Sequence, residues 1–145
     1  MALTYSIDPQ RRRVTVVATA QPTFEQWVLV HDAFLHDPAF RPGYDILWNR
    51  RAYTSAPNRA YIERVVQWWR DHQAELGEGR IATVVPDAAA AAYGMARMAE
   101  ILGRAESNLR AFNDLTEAVR WLDERFTADA PSSYDDGPGS RRGWT

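Results

Sequence analysis

An α/β fold with a mixed sheet is what this sequence predicts, in the element order β-β-α-β-α-β-α-β-α with the helices packed against the sheet. Three observations point to it. Two alternating segments open the chain, joined by a turn. Short apolar runs then alternate with stripes of helical period. Nearly every junction carries a cap or a breaker.

Residues 3–8, "LTYSID", and 13–19, "RVTVVAT", alternate apolar and polar side chains, and "PQRR" supplies the turn of a β-hairpin. Arg11, Arg12 and Arg13 fall at its tip, as a solvated hairpin end or, alternatively, a nucleic-acid contact. Thr23 and Gln26 have the spacing of a capping box. Phe24, Trp27, Val28, His31, Phe34 and Leu35 form one face of the helix that follows. "DPAFRPG" ends it, and residues 44–48, "YDILW", form a strand.

The connection "NRRAYTSAPN" (49–58) leads into a second helix reaching to about Leu76. Ser55 suits its N-cap, with Pro57 in the first turn, and Asn58 is the alternative cap. Ile62, Val65, Val66 and Trp69 make the buried stripe, which leaves Trp68 outside it as an apolar surface for a second copy of the chain. Gly77 and Gly79 close the helix. Residues 80–85, "RIATVV", read as a strand. "PDAAAAAYGMARMAEILG" reads as a helix whose alanines suit a tight helix–sheet interface and whose Gly94 suits close backbone packing. Residues 106–112 form the last strand. Asn113 or Asp114 caps the last helix, with Leu115, Ala118, Val119 and Leu122 buried. The domain spans 1–127. Residues 128–145, rich in Pro, Gly, Ser and Asp, form a flexible tail in which Trp144 is a candidate docking aromatic.

The chain has 145 residues and a formal net charge of -2, which favours neither nucleic acid nor anionic lipid. All 17 basic residues are arginine, as GC-rich bacterial coding would produce. Absence of cysteine excludes disulfides, thiolate metal sites and cysteine nucleophiles. No apolar run approaches the ~20 residues of a membrane span. A cytoplasmic protein is expected. His31, His36 and His72 lack metal-ligand spacing, and no phosphate-binding or nucleophile motif occurs. Neither a catalytic residue nor a cofactor is expected.

The segments "DPAFRPGYDILWN", "VVPDAAAAAYGMARMAE" and "RAFNDLTEAVRWL", together with the opening hairpin, resemble the small bacterial STAS/SpoIIAA-like proteins over roughly residues 1–126. The resemblance implies a non-enzymatic domain that binds a protein partner, in some members under phosphorylation control. Its regulated hydroxyl would match Thr54 or Ser55. Here neither the Asp before nor the Gly after those hydroxyls is present, and Asn49 stands where relatives commonly carry Asp.

The candidate site is therefore Asn49, Arg50, Arg51, Thr54 and Ser55 in the connection, with Tyr93 and Arg97 sharing a helix face nearby. Two roles compete for it. One is a protein-interaction surface, with homodimerisation as an option. The other is a small-molecule module holding an anion or nucleotide at the helix start, which a pocket opening at 49–58 would favour.

Overall fold

The computed structural model describes residues 3–53, 57–102 and 108–129, without the side chains of Met95, 97–102 and 125–129. Strands β1 (Leu3–Asp8) and β2 (Arg13–Ala18) form the antiparallel hairpin. β3 (Asp45–Asn49), β4 (Ile81–Val84) and β5 (Leu109–Phe112) then add in parallel, so the sheet order is β1-β2-β3-β4-β5. Helices α1 (Phe24–Leu35), α2 (Arg59–Asp71) and α4 (Ala88–Leu102) lie in the parallel crossovers. The single turn α3 (Gln73–Leu76) follows α2, and α5 (Leu115–Asp129) follows β5. A mixed five-stranded sheet with packed helices is thus what forms.

The strand pleat splits the core in two. Ile46 and Trp48 of β3 join Val14, Val16, Trp27 and Phe34 on the α1 side. Leu47 between them points the other way, to Ala118, Trp121 and Leu122 of α5. Buried on both faces, β3 reads as a nearly unbroken apolar run.

Local signals explain the helix starts. At Thr23 both capping-box bonds form: the Gln26 N–H donates to Thr23 Oγ1 (3.1 Å) and the Thr23 N–H to Gln26 Oε1 (2.9 Å). Asp114 Oδ1 caps α5, accepting from the Thr116 N–H (2.8 Å). At α2 the cap is Asn58, whose Oδ1 accepts the Tyr61 N–H (2.9 Å). The cap position expected at Ser55 is thereby corrected, because the first helical residue is Arg59. Asn58→Ala is expected to lower stability by about 1 kcal/mol, as a shift of the urea midpoint at constant m.

Four other expectations change. Trp68 is buried, not outside the stripe: its ring meets Trp27 edge-on at 5.1 Å and His31 at 5.4 Å. α2 packs against α1 on one flank as well as facing the sheet, so the surface expected to pair two copies is part of the core. Arg13 is buried, and its Nη2 lies 2.7 Å from Asp123 Oδ1 of α5; of the three tip arginines only Arg11 and Arg12 are exposed. Ala88, Ala89 and Ala92 are exposed, and a Cβ added to Gly94 would meet nothing within 4 Å, so α4 is not pressed onto a neighbour there. Finally, α5 runs through Ala128 and Asp129, two residues into the segment expected as tail. The rest of that segment, with Trp144, lies outside the described residues.

Candidate functional site

Trp48 at the end of β3, Thr83 of β4, Ile62 and Val65 of α2 and Gly94 of α4 surround a largely apolar cavity of about 160 Å³. It opens near the C-terminal ends of β3 and β4, where open parallel sheets hold ligands. Arg50, Tyr53 and Pro57 bring the β3–α2 connection to its edge. Since Trp48 and Thr83 line it together with α4, α4 covers the same sheet face as α1 and α2.

Among the described residues, four buried side-chain polar atoms have no hydrogen-bond partner: Arg13 Nε, Gln21 Oε1, Tyr61 Oη and Trp69 Nε1. Three of the four belong to residues lining this cavity. Each such atom costs roughly 1–3 kcal/mol relative to a satisfied one. Gln21 uses its amide Nε2 on Pro22 O (3.3 Å), which leaves Oε1 as an acceptor. The indole of Trp69 is a donor only. Burial is the largest cause holding the Tyr61 phenol above its ordinary pKa. Tyr53 and Glu25 push the same way, and Arg50 opposes them. Tyr61 is therefore a neutral hydroxyl, able to donate and to accept.

The expected site residues divide. Asn49 Oδ1 accepts from both the backbone N–H (3.2 Å) and Nε (3.1 Å) of Arg51, so this pair is occupied with its own loop. Arg59 pairs with Glu63 at 3.0 Å. Arg50 is anchored by its backbone N–H on Val84 O (2.8 Å), and its Nε donates to Tyr53 Oη (3.0 Å). Arg50 and Tyr93, 48 % exposed, both line the cavity. Thr54 and Ser55 lie outside the described residues, as does the Arg97 side chain. The fold thus joins Arg50 and Tyr93 but turns Asn49 and Arg51 away, and the first turn of α2 is closed by its own Asn58.

Gln21, Tyr61 and Trp69 were not expected as site residues. Tyr61 and Trp69 are eight apart on α2, with Ile62 and Val65 between them on the cavity side. That spacing is the one sequence signal that could have found them; Gln21 carries none.

A second cavity, about 320 Å³, lies toward the N-terminal ends of β3, β4 and β5, with Arg70, Gln73 and Asn108 in its lining. Trp69 and Leu109 line both cavities and so stand between them. Neither cavity is lined by a histidine. His31, His36 and His72 each place Nδ1 2.8 Å from the carbonyl oxygen four residues back. Among the described residues no group of three His, Cys, Asp or Glu side chains is placed to hold a metal ion. No helix among them is long and apolar enough to cross a membrane. The chain matches no family model, and no curated protein or solved structure is significantly similar to it.

Proposed function

We propose that this chain is a small-molecule-binding module whose ligand occupies the cavity between α2, α4 and the sheet. One observation carries the reading: among the described residues, three of the four that hold an unpartnered buried polar atom line one apolar cavity. Apolar walls with a few polar groups are the usual composition of a ligand site. An amphipathic molecule with a compact apolar body supplies what those atoms lack. The ligand sits beside the β3–α2 connection rather than on the start of α2, and the reading assigns no catalysis.

The test is Tyr61→Phe. Removing an unsatisfied hydroxyl should raise the stability of the ligand-free protein by about 1 kcal/mol, seen as a higher urea midpoint. The same change should weaken capture of neutral aromatic fragments, screened at millimolar concentration by thermal shift and tryptophan fluorescence. No response from the unaltered protein to neutral aromatic fragments or to aromatic carboxylates would sink the reading.

A second reading is a non-enzymatic, STAS-like regulatory domain that binds a protein partner. What favours it is the element order, an opening hairpin and a helix followed by three strand–helix units. It predicts that phosphorylation at Thr54 or Ser55 alters partner binding; phosphopeptide mapping that finds neither site modified would count against that switch.

A further inference from the structure

We propose that the ligand is a single-ring aromatic carboxylate, its ring inside the cavity and its carboxylate between Arg50 and Tyr61. This rests on the reading of the cavity as a binding site and adds the size and charge of the occupant.

Size comes from the volume. At about 160 Å³ the cavity is close to the ~150 Å³ apolar hole that accepts benzene. It is well below the ~300–1,000 Å³ of sites for drug-sized ligands. Trp69 and Leu109 separate it from the second cavity, so its length is limited by side chains rather than by backbone. Shape comes from the walls. Trp48, Tyr61, Trp69 and Tyr93 all contribute rings, which favour an aromatic guest by stacking and edge contacts.

Charge comes from an asymmetry. The lining includes Arg50 and Arg110 but no Asp, Glu or His. Arg110 is exposed and lies over Phe112 and Trp121, on the α5 side of the sheet. Arg50 is the cation that matters. Its two anchors, on Val84 O and Tyr53 Oη, fix where its fork lies. Tyr61 lines the same cavity as Arg50. Glu25 is exposed and does not line it. A carboxylate there accepts from a guanidinium and a neutral phenol, both strong donors to an anion.

Calorimetric titration with benzoate, 4-hydroxybenzoate, benzyl alcohol and 1-naphthoate tests this. Benzoate is expected to bind about ten-fold or more tighter than benzyl alcohol, and Arg50→Gln should erase that difference. The unaltered protein should reject 1-naphthoate, and Trp69→Ala should admit it. Should Trp69→Ala not fold, the Arg50→Gln comparison still decides. Equal binding of benzoate and benzyl alcohol, or selectivity retained in Arg50→Gln, overturns the carboxylate assignment and leaves the cavity a neutral-ligand site. Binding of neither these four probes nor the neutral fragments overturns the cavity reading itself.

Discussion

Lowering the pH from about 7 to 4 is expected to remove roughly 3 kcal/mol of stability through one residue, His31, at the ~1.4 kcal/mol per pH unit of a single linked proton. His31 is completely buried. Its ring stacks 3.7 Å from the ring of Trp27, with Phe34, Trp48 and Trp68 around it. The bonds specify the tautomer. Nδ1, 2.8 Å from the Trp27 carbonyl oxygen, must carry the proton, and Nε2 then accepts the Trp48 Nε1–H at 3.3 Å. A second proton on Nε2 would face that N–H donor. Burial lowers the pKa of His31 from 6.5 to about 3, and the Trp27 carbonyl only partly opposes it.

The direction follows from the folded value lying below the unfolded one. Between pH 6.5 and about 3 the unfolded chain holds a proton that the folded chain does not. Stability is therefore whole above pH 6.5 and falls as the pH drops toward 3. Asp37 acts in the same direction: accepting the Ala39 N–H and the Tyr5 hydroxyl, it too has a lowered pKa. The decisive measurement is thus a comparison. His31→Gln keeps a donor and an acceptor but does not titrate. Urea unfolding at several pH values should show it less stable than the parent at pH 7, yet with a flatter decline below 6.5. Parallel declines would refute the assignment to His31.

The sequence reading succeeded where a signal is local. The hairpin, the capping box at Thr23 and the stripe through Trp27, His31 and Phe34 need only neighbours within a few residues, and all appear in the fold. It failed where a residue answers to two partners. A stripe drawn for α2 assumes one apolar neighbour, so Trp68, which faces α1, fell outside it. The alanine run of α4 suggested close packing. Small side chains can equally leave space, and here Ala90 and Gly94 border the cavity. Arg50, in the connection after β3, and Tyr93, sharing a helix face with Arg97, are candidates by sequence, and both line the cavity. Gln21, Tyr61 and Trp69 are not candidates by sequence. An unpartnered atom is defined by everything that surrounds it, and Gln21 is forty residues from Tyr61 along the chain.

Two glycines read as a helix stop carry a larger consequence. Gly77→Ala and Gly79→Ala are each expected to destabilise the protein by roughly 2–5 kcal/mol, from overpacking and, at Gly77, backbone strain. The chain after α3 runs against the loop before β3. The Gly43 N–H donates to Leu76 O (2.8 Å), the Ile46 N–H to Arg80 O (2.9 Å), and the Arg80 N–H to the buried Asp45 carboxylate (2.8 Å). A Cβ on Gly77 would run into the backbone of Gly43 and Pro42, at a φ of 76° that side chains rarely adopt. One on Gly79 would strike the carbonyl groups of Tyr44 and Gly43. Backbone cannot swing aside as a side-chain tip can, so the two segments must separate and strain the bonds that hold β3 beside β4. Gly43 and Gly94 are the controls. A Cβ on Gly43 meets nothing within 4 Å, so Gly43→Ala carries only the strain of its φ of 94°. Gly94 sits inside α4 with open space around it, so Gly94→Ala should add about 0.5–1 kcal/mol from helix propensity alone. Chemical denaturation of the four variants should order them Gly94→Ala, Gly43→Ala, then the other two. A Gly79→Ala variant as stable as the parent would show that these segments are not in backbone contact in solution. Because Gly94 lines the cavity, Gly94→Ala should also lower aromatic-fragment affinity while raising stability, which separates the role of this glycine from that of Gly77 and Gly79.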